Sequence, residues 1–275
     1  MLRTTKHRRW IITGAGGGLG RALADTVVRH GGSVASLTRD PTALPLASAE
    51  RERAFAVDLR SVASLESAFS AAHAWLGGAD VVVNNAGYGL LGAVGEVSWQ
   101  QIHDCLQVNQ LAALRMTQLA VDVMREQRHG TVVQISSLSA TDPAPGMAAY
   151  AAAKAAVEAY SASVAREVGP LGLRVIIVQA GGMRTSWAGS ALVRAPERPE
   201  YASTVGTIRQ VLAAADGAQP TDPVDAADQI VHEVADDDAT DRLLRMPIGS
   251  DAQARIGDAL DRRLQELTAF TRRTR

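Results

Sequence analysis

One cysteine, Cys105, stands among the 275 residues. That excludes an intramolecular disulfide and fits a reducing compartment, so a cytoplasmic protein is expected. Aromatic residues make up only 4%, so large rings cannot fill the core. Abundant alanine and glycine suit helices packed closely on a sheet instead. Charge of either sign is not in excess, at a net −1. That gives no reason to expect nucleic acid or an anionic membrane surface as a partner. No apolar run approaches the roughly 18 residues of a membrane span. The basic start, Met1 to Arg9, leads into a strand rather than the core of a signal peptide. The six histidines, at 7, 30, 73, 103, 129 and 232, are scattered. None has metal-ligand spacing beside a carboxylate or cysteine, and no metal site is expected.

What is present is alternation. Trp10-Ile11-Ile12 reads as a short strand, followed by Thr13-Gly14-Ala15-Gly16-Gly17-Gly18-Leu19-Gly20 and a helical pattern from Arg21 to Arg29. Strand, glycine turn and helix form a phosphate-binding context. Gly14 permits the turn, Gly18 lets backbone approach a pyrophosphate, and Gly20 lets the helix pack on the sheet. Further strands are expected at Ser33 to Leu37, Arg53 to Val57, Asp80 to Val83, Thr131 to Ile135, Leu173 to Val178 and Leu243 to Met246. Helices are expected at Ser61 to Trp75, Ser98 to Arg128, Ala148 to Val168, Ser203 to Ala215, Thr221 to Ala235 and Asp251 to Thr271. The pattern predicts one α/β domain over residues 1–275, a doubly wound Rossmann-type parallel sheet of about seven strands flanked by helices. Residues 186–220, with Pro196 and Pro199, read as a lid. Asp236-Asp237-Asp238 reads as a solvated acidic turn.

Within this frame, three residues point to chemistry. Tyr150 and Lys154 are four apart on an expected helix, so they share a face. A cation beside a phenol favours phenolate, which predicts a tyrosine pKa lowered towards neutrality and a proton passed to or from a carbonyl oxygen. Ser137 lies at the carboxyl end of the apolar run Thr131 to Ile135, where open α/β sheets bind ligands. After the second strand come Thr38-Arg39-Asp40. A guanidinium there suits a ribose 2′-phosphate and favours NADP(H) over NAD(H). Alternatively, Arg39 is solvated and Asp40 grips the ribose. Asp58 either accepts from an adenine amino group or belongs to a helix N-cap. Asn109 is an amide inside an apolar helix face and needs a partner if buried. Cys105 is expected in the core, with no histidine and acid to activate it.

Taken in order, TGAGGGLG at 13–20, DL at 58–59, NNAG at 84–87, VN at 108–109, ISS at 135–137 and YAAAK at 150–154 resemble the short-chain dehydrogenases/reductases of single-domain type. The resemblance spans about residues 9 to 247. It implies Tyr150 as acid/base, with Lys154 binding the nicotinamide ribose and lowering the tyrosine pKa. It implies Ser137 holding the substrate oxygen and Asn109 anchoring a water that leads to the lysine. Cofactor contacts are implied at Gly14, Gly16, Gly17, Gly18, Leu19, Gly20, Thr38, Arg39, Asp58, Leu59, Asn85, Ala86, Gly87, Tyr150, Lys154, Gly181 and Thr185. The chain departs from the family at Ala180, where Pro-Gly-x-x-x-Thr is usual. That loosens the loop carrying Gly181 and Thr185. The tail, MPIGSD and a long helix, resembles a bacterial subgroup akin to retinol and hydroxysteroid dehydrogenases. The implied activity is hydride transfer between NADP(H) and a ketone, aldehyde or alcohol, with an apolar substrate under Trp187, Leu192, Val193 and Tyr201. A homodimer or homotetramer is expected, with the alanine-rich helices as candidate contacts. The alternative is a non-catalytic nucleotide-binding regulator of the same fold.

Overall fold

In the computed structural model the described residues are 8–236 and 243–274. The basic start and most of the acidic turn expected at 236–238 lie outside them. The chain begins with β1 (Arg9–Thr13), α1 (Gly18–Arg29), β2 (Ser33–Thr38), β3 (Glu52–Ala56), α2 (Val62–Leu76) and β4 (Val81–Asn84). It continues with β5 (Gly89–Leu91), α3 (Trp99–Leu106), α4 (Ala112–Gln127), β6 (Gly130–Ser137), α5 (Ala148–Val168) and β7 (Leu173–Ala180). The last elements are β8 (Leu192–Arg194), α6 (Thr207–Ala215), α7 (Pro223–Ala235), β9 (Arg245–Ile248) and α8 (Ser250–Arg273).

Seven strands form one sheet in the order β3-β2-β1-β4-β6-β7-β9, and every pairing in it is parallel. Side chains of a strand alternate between faces, and here both faces are covered. Trp10 and Ile12 pack with Leu23, Val27, Ile230 and Val234 of α1 and α7. Ile11 packs on the other face with Leu65, Phe69, Met116 and Val164 of α2, α4 and α5. Burial on both sides is why these strands read as continuous apolar runs. From β1 the chain winds outward through β2 and β3, then returns to β4 on the other side of β1. That reversal makes the carboxyl ends of β1 and β4 the crevice where a ligand enters such a sheet.

Several boundaries differ from the sequence expectation. The helix expected from Ser98 to Arg128 is two helices joined by a π-helical turn, Gln107–Leu111, with Asn109 inside it. Ser98 does cap α3, in a reciprocal pair with Gln101. The final strand runs Arg245–Ile248, not 243–246, because its register with Ile177–Ala180 sets its limits. Pro247 is tolerated at this sheet edge, where one side of the backbone has no strand to bond. The lid is more ordered than its irregular sequence suggests. Its β8 pairs in parallel with β5 in a separate two-stranded sheet, and a π-helical turn, Ala202–Gly206, precedes α6. Among the described residues, no helix is long and apolar enough to cross a membrane.

Candidate active site

A cleft of about 1260 Å³ runs along the carboxyl ends of the strands. One end is the glycine turn between β1 and α1. Gly14 has φ +68°, and a Cβ on it would stand 2.8 Å from the Ala86 Cα. Only glycine relieves both constraints. Asn85 locks this approach, its Nδ2 donating to the carbonyls of Thr13 (2.9 Å) and Gly14 (3.3 Å). The Thr13 hydroxyl in turn accepts from the N–H groups of Asn85 and Ala86. Gly20 packs directly on the Gly14 carbonyl. It therefore acts through packing and does not line the cleft. Gly17, by contrast, has open space where a side chain would be.

Beyond the glycine turn lies the end of β2. Arg39 is exposed and lines the cleft beside Thr38. Asp40 is committed to its own loop: its Oδ1 accepts from the Thr42 backbone N–H and hydroxyl and from the Ala43 N–H. Those bonds hold its carboxyl below the usual carboxylate range. Asp58 accepts bidentate hydrogen bonds from Arg60 at 3.0 Å each. The N-cap of α2 is Ser61, which accepts from the Ser64 N–H. Asp58 also belongs to this N-cap region, its N–H donating to the Ser64 hydroxyl and its Oδ1 accepting from the Arg60 N–H, both at 3.0 Å, and its carboxylate lines the cleft end already paired with a cation.

The other wall carries Ser137, Tyr150 and Lys154, and all three line the cleft. Ser137 ends β6, where its Oγ accepts from the Ser139 N–H at 3.1 Å, leaving the hydroxyl proton free to donate. Tyr150 and Lys154 sit on the face of α5 that packs against β6, 6% and 5% exposed. The Lys154 ammonium donates to the Ile135 carbonyl at 2.7 Å and stands 5.8 Å from the centre of the Tyr150 ring. Here the electrostatics differ from the sequence expectation. Burial pushes the Tyr150 phenol up to about 12, opposed by a hydrogen bond from Ser137. Burial also brings Lys154 down to about 8, with Cys105 and Glu158 acting the other way. The expected lowering of the tyrosine by the lysine is therefore not found: desolvation of the phenolate dominates, and the opposing influence is the Ser137 hydrogen bond.

Asn109 is buried behind this wall and does not line the cleft. Its Nδ2 donates to the carbonyls of Tyr88 and Cys105, both at 3.0 Å, and its Oδ1 accepts from the Tyr88 N–H at 3.0 Å. The π-helical turn gives this amide its aim. A Cβ on Gly87 would stand 2.5 Å from Asn109 Oδ1 and 3.5 Å from Lys154 Nζ, so amide and ammonium converge on a glycine. Cys105 is fully buried in the core.

The loop after β7 brings Thr185 over the glycine turn, its Cβ 3.3 Å from where a side chain on Gly18 would begin. Gly181 donates to the Ile248 carbonyl, and Gly182 is held by a residue that sequence reasoning missed. Asp251, on the first turn of α8, accepts from the Gly182 N–H at 2.8 Å. Nothing local in the sequence marks it. A second missed residue, Glu158, lies four after Lys154, a spacing that was legible. It is buried beneath Ser136, whose hydroxyl donates to it at 2.8 Å. On the lid side, the Trp187 ring lies 5.3 Å from the Tyr150 ring at 57°. Met147, Val193, Ile208 and Leu212 continue that apolar lining.

The arrangement can bind an extended anion-bearing ligand at the glycine turn and place an acid–base pair beside its far end. Comparison with known proteins gives the family. The short chain dehydrogenase family matches residues 8–193. The oxidoreductase BOA17 of Botryotinia fuckeliana is 31% identical over 256 residues, 92% of each chain. An uncharacterised oxidoreductase of Schizosaccharomyces pombe is 34% identical over 227 residues, 82% of this chain and 77% of that one. A short-chain dehydrogenase from Streptomyces avermitilis superposes with a TM-score of 0.91 at 33% identity, over 98% of this chain and 97% of that one. Two of these three relatives are fungal, so they do not carry the bacterial-subgroup resemblance of the tail.

Proposed function

The chain belongs to the short-chain dehydrogenase/reductase family, an oxidoreductase family, and on that premise we propose that it interconverts a ketone or aldehyde and its alcohol with NADP(H). The observation that carries this reading is the meeting of Ser137, Tyr150 and Lys154 on one wall of a cleft whose other end is a side-chain-free glycine turn. The donor set suits a dinucleotide. Gly17 leaves open space at the turn, and the N–H groups at the start of α1 suit its phosphates. Arg39 is the side chain that would meet a 2′-phosphate. Asp40 Oδ1 is turned into its own loop by Thr42 and Ala43, which favours NADP(H) over NAD(H).

In the reducing direction, Ser137 and Tyr150 receive the substrate oxygen. Bound NADPH would supply hydride to the carbonyl carbon. A phenol pushed up to about 12 is protonated at neutral pH, as a proton donor must be. It passes its proton to the oxygen as negative charge develops there, while the Ser137 hydroxyl steadies that charge. Lys154, fixed by the Ile135 carbonyl, stabilises the phenolate left behind. Asn109 Oδ1 keeps a lone pair for a water that would return a proton towards Lys154. The apolar lining from Met147, Trp187 and Leu212 suits an uncharged, medium-sized substrate.

The test is Tyr150→Phe. Turnover of a panel of apolar ketones, followed at the nicotinamide absorbance, should fall by about 10²- to 10⁴-fold, while NADPH still binds by fluorescence. Retained turnover would remove the phenol from the role given to it.

A further inference from the structure

The lid, residues 186–220, meets the body along a seam cut to receive it. Gly89, Gly92 and Gly95 follow one another at intervals of three on the stretch that contains β5. Where a Cβ on each would stand, lid atoms already lie: Leu192 Cδ1 at 2.5 Å, Ala195 Cβ at 2.6 Å and Tyr201 Oη at 2.6 Å. Backbone bonds fasten the same seam. The Gly89 N–H donates to the Ala191 carbonyl at 3.1 Å, and the Ala195 N–H donates to the Leu91 carbonyl at 2.9 Å. The first half of the lid is therefore a docked strap.

The second half is held by charge. Helix α6 has no fully buried residue. Its Ile208 and Leu212, four apart on one face, line the cleft in the cluster of Met147 and Tyr150. Packing along a cleft wall does not by itself fix where a helix stands. Arg209, next to Ile208, does. Its Nη2 donates to Glu96 Oε2 at 2.9 Å and to the Ala195 carbonyl at 3.1 Å. Glu96, between β5 and α3, also accepts from the N–H groups of Ala93 and Arg198, both at 2.8 Å. The Arg209 and Glu96 side chains are only 10% and 2% exposed, so water and salt screen little of their attraction. Glu197 is 3.9 Å from Arg209 and exposed, too far for a hydrogen bond. Glu96 thus joins three segments: the loop after β5, the strap beyond β8, and α6. We propose that Glu96 and Arg209 are positioning residues for substrate selection. By pinning α6 they set the width of the chamber between Tyr150 and the pair Ile208 and Leu212, and so admit ketones by girth. Neither touches the reacting atoms; both act through the two apolar side chains. A chamber fixed in advance discriminates by steric fit. This rests on the carbonyl–alcohol reading of the cleft and adds what sorts its substrates.

The test is selectivity between cyclohexanone and 2-decalone, which differ by one fused ring. Two readouts are taken on the full chain: calorimetric affinity for each ketone with NADP⁺ present, and kcat/KM for each with NADPH. Wild type should separate the two ketones by about tenfold or more in both. Arg209→Gln should shrink that ratio by about tenfold, through KM and affinity rather than kcat, with NADPH affinity unchanged. Arg209→Lys keeps a cation within reach of Glu96 and should retain most of the ratio. Glu96→Gln keeps an acceptor oxygen but drops the charge, and should act as Arg209→Gln does. The double variant should be no worse than either single one, as for two halves of one contact. Variants that melt at lower temperature yet keep the wild-type ratio would leave the pair a structural staple and overturn the proposal. So would additive effects in the double variant, or wild type that binds both ketones equally or neither. Absent turnover with the binding ratio still following this pattern would sink the proposed reaction and leave the sorting by α6 standing.

Discussion

Asp251 Oδ2 accepts a hydrogen bond from the Gly182 backbone N–H at 2.8 Å, tying the first turn of α8 to the loop that follows β7. That loop begins at Ala180, where the family's usual proline would fix φ. A carboxylate arriving from the C-terminal helix fixes the same turn from outside. The fit is close, since a Cβ on Gly181 would collide with that carboxylate. Asp251→Ala should leave the sheet intact but free the loop that carries Thr185. Loss of a hydrogen bond to a charged group corresponds to about 1.5–3 kcal/mol, or roughly ten- to a hundredfold in kcat/KM if the bond is kept in the transition state. Steady-state kinetics beside a thermal melt would read both effects. Unchanged kcat/KM would show that the loop holds its shape without the helix.

Lys154 links stability to pH with a definite sign. Burial lowers it from the ordinary 10.5 to about 8. Between those values the unfolded chain binds the proton and the folded chain does not, so stability contributed by this group rises with pH. Below about pH 8 both states are charged and the burial penalty is fully present. Lys154→Met has no such group, so the wild type should gain stability relative to it as pH climbs from 8 to 10.5. The gap corresponds to about 3 kcal/mol as an upper figure. Urea unfolding of both proteins at several pH values measures it. A flat difference would mean that the ammonium is solvated in the folded protein.

The strand–helix alternation, the glycine turn and the catalytic-type residues were legible because each rests on local pattern. Apolar runs mark strands buried on both faces, and a spacing of four marks a helix face. Three features were not legible, and each depends on long-range packing. The π-helical turn that aims Asn109 breaks no rule of helical periodicity. The β5–β8 sheet joins segments of three residues separated by the whole catalytic region, too short to show alternation. The phenol's raised pKa is set by how completely α5 and the lid exclude water, which spacing does not reveal. Reading Lys154 as a neighbour that lowers Tyr150 counted the charge and omitted the burial.

Glu158 provides a way to separate those two influences. It is buried midway along α5, receiving Ser136 Oγ at 2.8 Å and Gln179 Nε2 at 3.1 Å, with Arg245 at 3.3 Å. Its carboxylate favours the charged form of Lys154. Cys105, the other neighbour that acts on Lys154, lies on α3, where burial pushes its thiol up. Glu158→Gln keeps an acceptor for Ser136 but removes the charge. Lys154 should then lose its proton at lower pH, and the alkaline limb of the kcat profile should move down by about one pH unit. Glu158→Ala would add a cavity and lose stability, which the glutamine variant avoids. An unmoved alkaline limb in Glu158→Gln would confine Glu158 to holding Ser136 and Gln179 in place.

Cofactor choice tests the far end of the cleft. Arg39 lines it and is exposed, while Asp40 is turned into its own loop by three hydrogen bonds. Arg39→Asp would replace the cation facing a 2′-phosphate with a carboxylate that repels it and accepts from ribose hydroxyls. A charge-assisted bond of about 1.5–3 kcal/mol predicts roughly ten- to a hundredfold weaker NADPH binding, with NADH binding held or improved. Arg60 is the neighbouring cation, but its guanidinium is bidentate on Asp58 and cannot turn to a phosphate without breaking that pair. Arg60→Ala should therefore change the NADPH-to-NADH ratio much less than Arg39→Asp. Fluorescence titration with both nucleotides compares the variants directly. Equal shifts would mean that the 2′-phosphate is read by the pair of arginines together, and an unchanged ratio in Arg39→Asp would take Arg39 out of its recognition.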